Sequence, residues 1–286
     1  MSYLENPTTD FAEIDSVSKL LTAIGDWRRT LGIPDRGYHG HAWFRGHSER
    51  TYVLTPGVYR SGFTAASAGV YGKDTEERRL NLEREILMEF RTAGATMLDS
   101  KNNEELYVLA QHFGLPTRLL DWTSNPLSAL FFAVCDETCT GDGDVFVMQP
   151  TKMFEDPPAG SEEPQPYMRT IRHPQISDAI GLSFWREPID LTKTSKKQTV
   201  TEYPRILALR PDNRAGRVGQ QSSCFTMHTY QAKPQTNKTL SRFKILGGNK
   251  DDIRRELRQL NVNEFTVYHD LDHLSREIKR GWGLKV

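Results

Sequence analysis

Three polar clusters in this chain are dense enough to do chemistry. The first is QHFGLPTRLLDWTSNPLSALFFA, residues 111–133, where a Gln-His pair, an arginine, an acid, a tryptophan and two hydroxyls precede an apolar helix with hardly a break. A core segment has no need of such residues, so the stretch reads as a polar loop flooring a site. His112 could serve as a general base. Arg118 is a ligand-binding candidate whose competing role is a fixed ion pair with Asp121. Trp122 offers a stacking face for a ring. Thr123 and Ser124 lie just before a helix N-terminus, where amides and dipole favour an anion, with capping as their other use.

The second cluster is WFRGHS, residues 43–48. Arg45 can hold a phosphate or carboxylate through two parallel hydrogen bonds. Gly46 beside it would let a ligand approach the backbone closely. The third, RVGQQSSCFTMH at 217–228, sets Gln220 and Gln221 just ahead of a strand that carries His228.

The elements that must position these residues follow from periodicity. Val17, Leu20, Leu21, Ile24, Trp27 and Leu31 share a helical face, with Ser16 as N-cap and Gly32-Ile-Pro34 as the stop. HAWFRG reads as a strand. Residues 61–74, small and Gly-rich, read as a surface loop. A helix is expected from Thr75 to Met97, a second from Glu104 to Phe113, and a third from Leu127 to Cys135 with Ser124 or Asn125 as cap and Pro126 in its first turn.

VFVM, RILAL (205–209), CFTMH (224–228) and FKILG read as strands. Residues 151–200 read as a long surface excursion. The tail reads as β-α-β-α: FKILG, a helix over Asp251–Leu260, EFTVY as a strand, and a helix over Leu271–Arg280. The expected class is α+β, a single mixed domain with a small sheet flanked by helices. A helical segment spans 1–36, and the main body spans 37–286.

Lys+Arg and Asp+Glu balance at 37 each over 286 residues, so no global field draws in nucleic acid or an anionic membrane. No apolar run reaches the roughly 18 residues of a membrane helix, and the polar, acidic N-terminus lacks a signal-peptide pattern. The three cysteines, Cys135, Cys139 and Cys224, make no disulfide framework. A cytoplasmic protein without membrane contact is expected. Cys135 and Cys139 lack a second pair to close a zinc site, so no metal is expected. No GxGxxG, HExxH or GxxxxGK[ST] pattern occurs.

WFRGHS, then Y-x-L-x-P-x-x-x-R (Tyr52, Leu54, Pro56, Arg60), then the 111–133 block, and R-x-x-x-Q-x-x-x-F (Arg217, Gln221, Phe225) together resemble the FRG domain family. The resemblance implies an FRG domain within 37–286 and a bacterial or phage setting, with some members near phage-defence islands. A looser resemblance, in the order of Arg45-Gly46, WTSNPLSA at 122–129 and Gln220–Gln221, is to ADP-ribosyltransferases. It implies an ADP-ribosyltransferase-like fold in which Arg45 holds a pyrophosphate or ribose and Gly46 meets the nicotinamide amide. Gln220–Gln221 would then occupy the place of the acid. Glutamine supplies no carboxylate, so glycosidic cleavage or binding fits that resemblance better than transfer to protein side chains.

The leading expectation is a cleft between Arg45 and the 111–125 loop that binds a nucleotide-like, phosphate-bearing small molecule. NAD would be a substrate, no resident cofactor is needed, and a macromolecular target is left unassigned. Arg45, His112 and Gln221 would carry catalysis, while Gly46, Arg118, Trp122, Thr123, Ser124 and Gln220 would bind the ligand. Two other classes stay open: a nuclease built on His112, Asp121 and His228, and a noncatalytic nucleotide sensor or interaction module.

Overall fold

Local signals start most of the helices. Ser16 accepts the Lys19 N–H at 3.3 Å and opens α1 (Val17–Thr30), whose Val17, Leu20, Ala23 and Trp27 form the buried stripe. Thr75 caps α3 (Glu76–Ala93), Asn102 caps α4 (Asn103–His112) and Asn125 caps α5 (Pro126–Val134), with Pro126 in the first turn. A computed structural model of the chain describes residues 4–34, 41–98, 102–150, 169–170, 206–210, 223–228 and 238–284.

Two expected elements come out differently. Residues 61–74 are not a loop, because Ser61–Tyr71 forms α2 and stops at Gly72, whose φ is 78°. Three alanines suit a helix there, and Phe63 is buried beside Leu82 of α3. EFTVY alternates like a strand yet is helix α7 (Glu264–Tyr268). Asn263 and Thr266 exchange side-chain-to-backbone hydrogen bonds in a capping box, and that local closure overrides the alternation. The tail is therefore a strand followed by three helices: α6 (Lys250–Gln259), α7 and α8 (Leu271–Gly281).

The strands are β1 (Ala12–Ile14), β2 (Trp43–His47), β3 (Leu119–Thr123), β4 (Gly143–Met148), β5 (Arg169–Thr170), β6 (Ile206–Arg210), β7 (Ser223–His228) and β8 (Ser241–Ile245). They form one mixed sheet in the order β1-β8-β4-β2-β3-β7-β6-β5, larger than the small sheet expected. The edge pairs β1/β8 and β5/β6 are parallel and the others antiparallel. β3 also corrects the reading of 111–133 as a loop running into a helix, since LLDWT lies in the middle of the sheet. Apart from β5, the expected excursion at 151–200 lies outside the described residues.

Alternation sorts the strand side chains onto two faces. On one, Phe44, Val145, Val147, Phe243 and Ile245 pack against α1, α5 and α6. Further along that face, Leu119, Leu207, Leu209, Phe225 and Met227 pack against α3 and α4. The opposite face carries Trp43, Leu120, Trp122, Phe146 and Met148, covered by Leu4, Leu54 and Leu240. The first face thus has two separate helical covers.

Candidate functional site

The sheet is nearly cut in two at its middle. β2 pairs with β4 through five residues and β3 pairs with β7 through five, but β2 and β3 share a single ladder pair, Phe44 with Thr123. A cleft of about 1340 Å³ opens there, lined by Arg45 and His47 of β2, Asp121 and Thr123 of β3, and residues of the flanking helices. α5 follows β3 directly and lies against β2. The contact is at Gly46, where an added Cβ would sit 1.9 Å from the Ala129 carbonyl oxygen. Gly46 is glycine because a helix backbone approaches it, which replaces the expectation that it makes room for a ligand.

Arg45 bridges the cut. Its Nη1 donates to the Asp121 carbonyl oxygen at 2.7 Å and its Nε donates to His47 Nε2 at 2.9 Å. The Asp121 carboxylate lies 3.8 Å from the same Nη1. Burial pulls the guanidinium down to about 10, with Asp121 opposing and Arg60 adding to the fall. His47 is buried, and desolvation followed by the charge of Arg45 pushes it down to about 3. It is neutral at ordinary pH, and the nitrogen that could accept a proton already accepts from Arg45.

Arg60 is exposed at the cleft wall. Its Nε donates to the Thr55 carbonyl at 3.1 Å, and among the described residues no carboxylate lies within ion-pair distance. Arg79, also on the wall, differs: Asp74 holds it through two hydrogen bonds, and it lies over the Tyr59 ring at 5.8 Å. At another part of the wall, Phe132 of α5 and Tyr268 of α7 meet edge to face at 5.8 Å.

A directed chain of hydrogen bonds ends at Asp121. The Leu119 N–H donates to Thr117 Oγ1 at 3.0 Å, and the Thr117 hydroxyl donates to Gln111 Oε1 at 2.5 Å. The Gln111 amide is thus set with Oε1 toward the Thr117 hydroxyl and Nε2 toward Asp121. Gln111 Nε2 donates in turn to Asp121 Oδ2 at 2.8 Å. Oδ1 accepts no hydrogen bond among the described residues, and the side chain is 53% exposed.

Arg45, Gly46, His112, Trp122 and Thr123 all line the cleft. His112 ends α4 with its ring edge-on to Phe113 at 5.4 Å. Trp122 reaches the cleft, but its ring is no platform: the residue is 3% exposed, packed in the opposite face, with Nε1 donating to Thr226 Oγ1. Strand alternation turns it away. The Thr123 hydroxyl accepts the Asn125 N–H, and Asn125, not Ser124, caps α5; Ser124 is not among the lining residues.

Arg118 is fully buried away from the cleft. It pairs with Glu83 at 2.9 Å, not with Asp121, and Tyr107 donates to the same carboxylate at 2.5 Å. Gln220 and Gln221 lie outside the described residues. His228 is buried and lines no part of the cleft, so the set His112, Asp121 and His228 does not come together there. Among the described residues no group of three or more His, Cys, Asp or Glu side chains is placed to hold a metal. None of their helices is long and apolar enough to cross a membrane.

Sequence reasoning missed His47, Tyr59, Asp74, Arg79, Phe132 and Tyr268 as cleft residues. Arg60 stood in the sequence pattern as a marker only. Its place four residues after Pro56, at the entry of a helix, is the one signal that could have drawn attention to it.

Residues 40–141 match the FRG domain family model, well under half of the chain. The matched segment holds β2, β3, α5 and the whole Thr117–Gln111–Asp121 chain. No curated protein and no solved structure matches.

Proposed function

We propose that the cleft between β2 and β3 binds a phosphate-bearing, nucleotide-like small molecule, and that the protein cleaves NAD at its nicotinamide bond as an NAD glycohydrolase. One observation carries the reading. Two guanidinium groups, Arg45 and Arg60, act on one cleft while, among the described residues, Asp121 is the single carboxylate near Arg45, so the mouth holds uncompensated positive charge. An anionic ligand relieves that repulsion and gains bonds from Arg45, whose guanidinium burial has already desolvated.

The cavity exceeds the roughly 300–1,000 Å³ of an ordinary small-molecule pocket, which suits a dinucleotide. The Phe132–Tyr268 wall supplies an apolar surface for a ring, the role that buried Trp122 does not take. The positive end of α5 also reaches the cleft through Asn125 and Ser128. Glycosidic cleavage, the chemistry implied by the resemblance to ADP-ribosyltransferases, needs no metal. The FRG resemblance gives phage defence as the setting.

Thermal unfolding with and without NAD, ADP-ribose and ATP tests binding. A ligand at 100 times its Kd should stabilise the fold by about 2.7 kcal/mol. Mass spectrometry of the NAD incubation tests turnover through free nicotinamide. An unchanged Tm with all three nucleotides sinks the reading, while a raised Tm without nicotinamide leaves a nucleotide sensor.

A further inference from the structure

Resting on the proposed NAD cleavage, we propose that Asp121 is the catalytic carboxylate, presenting Oδ1 to the ribose while Gln111, itself held by Thr117, holds Oδ2. The described part of the cleft wall carries two carboxylates, Asp74 and Asp121. Asp74 is taken up by two hydrogen bonds from Arg79. Asp121 has one oxygen tied to Gln111 and the other open, on a side chain half exposed to the cleft.

The orientation is built in. Each donor from the Leu119 amide onward points toward Asp121, so Oδ2 is the acceptor at the end of the chain. The main chain at Asp121 is fixed separately by Arg45, which anchors its carbonyl at 2.7 Å. A carboxylate clamped by its backbone and by one oxygen is positioned for a reacting centre, whereas a surface counter-ion needs neither constraint.

The bond between ribose C1′ and the nicotinamide nitrogen breaks, and its electron pair leaves on that nitrogen. The ribose ring oxygen shares a lone pair with C1′, and the positive charge that develops faces Oδ1. Water adds at C1′ and gives its proton to Asp121, which passes it to solvent. NAD and water become ADP-ribose, nicotinamide and a proton. Gln220 and Gln221 need not supply the acid, because β3 supplies it.

The test compares wild type with Asp121→Asn and Gln111→Leu, measuring NAD and ADP binding by titration calorimetry and nicotinamide release by mass spectrometry. Asp121→Asn should bind ADP within about twofold of wild type and release nicotinamide about 100- to 1,000-fold more slowly. Gln111→Leu, which keeps the carboxylate and frees Oδ2, should lower kcat with KM little changed. A counter-ion role for Asp121 would show instead as altered ADP binding with kcat preserved. Undiminished nicotinamide release by Asp121→Asn overturns the assignment and leaves the cleft reading standing. Wild-type binding without release also overturns it, and absence of NAD and ADP binding by wild type overturns both.

Discussion

Arg45 Nη1 and the Asp121 main-chain oxygen, 2.7 Å apart, join two halves of a sheet that otherwise share one ladder pair. A side chain does there what a backbone N–H does elsewhere in the sheet. The strands can part and leave a cleft without leaving that carbonyl unpaired. The residue that closes the gap is also the one that charges it.

Arg45→Lys tests both halves of that role. Lysine keeps the charge but loses the fixed fork that reaches His47 and Asp121 together. Urea unfolding should show a loss of about 1–3 kcal/mol. Nucleotide affinity, measured by calorimetry on the folded variant, should fall at least about tenfold.

Arg60→Ala should separate binding from folding. The side chain is exposed and has one hydrogen bond to the Thr55 carbonyl, so the unfolding midpoint should hardly move. ADP affinity should fall by about 1.5–3 kcal/mol if its guanidinium meets a phosphate. Unchanged affinity would remove Arg60 from the site.

Gly46→Ala should destabilise the fold by about 3 kcal/mol or more, seen as a lower urea midpoint. The added Cβ meets backbone on both sides, 1.9 Å from Ala129 oxygen and 2.7 Å from Ala133 nitrogen, so no rotamer change relieves it. A neutral result would mean that α5 lies further from β2.

Arg118→Leu should cost about 3–5 kcal/mol, because it leaves the buried Glu83 carboxylate without its cation. Ligand affinity of the folded variant should stay as in wild type. The same unfolding and calorimetry pair distinguishes this scaffold role from the ligand contact suggested by the sequence.

Acid stability carries two opposed signatures. Asp144 is buried and desolvation pushes it up to about 6, against the attraction of Arg50 and Arg242 and with Asp10 and Asp142 adding to the rise. The unfolded chain releases that proton near pH 4. The native state therefore holds more protons between about pH 4 and 6, and this group lowers stability as pH rises through that window.

His47 acts the other way. Its native value near 3 lies below the ordinary histidine value of 6.5, so it adds stability as pH rises from about 3 to 6.5. Asp144→Asn removes the first effect alone. Its stability relative to wild type should increase as pH rises from about 4 to 6, by urea titration at each pH, and a flat difference would refute the shift.

The sequence alone determined what depends on neighbours a few residues apart. Ser16 before an apolar stripe, a cap at Ser124 or Asn125 with Pro126 before another, and HAWFRG as a strand were legible because caps and periodicity act within one or two turns. The same locality misled at EFTVY, where alternation predicted a strand and the Asn263–Thr266 capping box made a helix. Arg45 was also legible, as an arginine beside an unusual glycine.

What that glycine was for, and which acid each arginine would meet, only the tertiary structure decided. Asp121 and Arg118 are three residues apart, but alternation and burial send one to the cleft and the other to Glu83, 35 residues away. Trp122 turns to the core because its neighbour Asp121 turns to the cleft. Arg60 joins Arg45 only because the fold brings both to one cleft, and the single β2–β3 ladder pair that opens the cleft belongs to no segment by itself. Partners across a sheet are chosen by which packing buries the most apolar surface at once, and that choice is made by the whole chain.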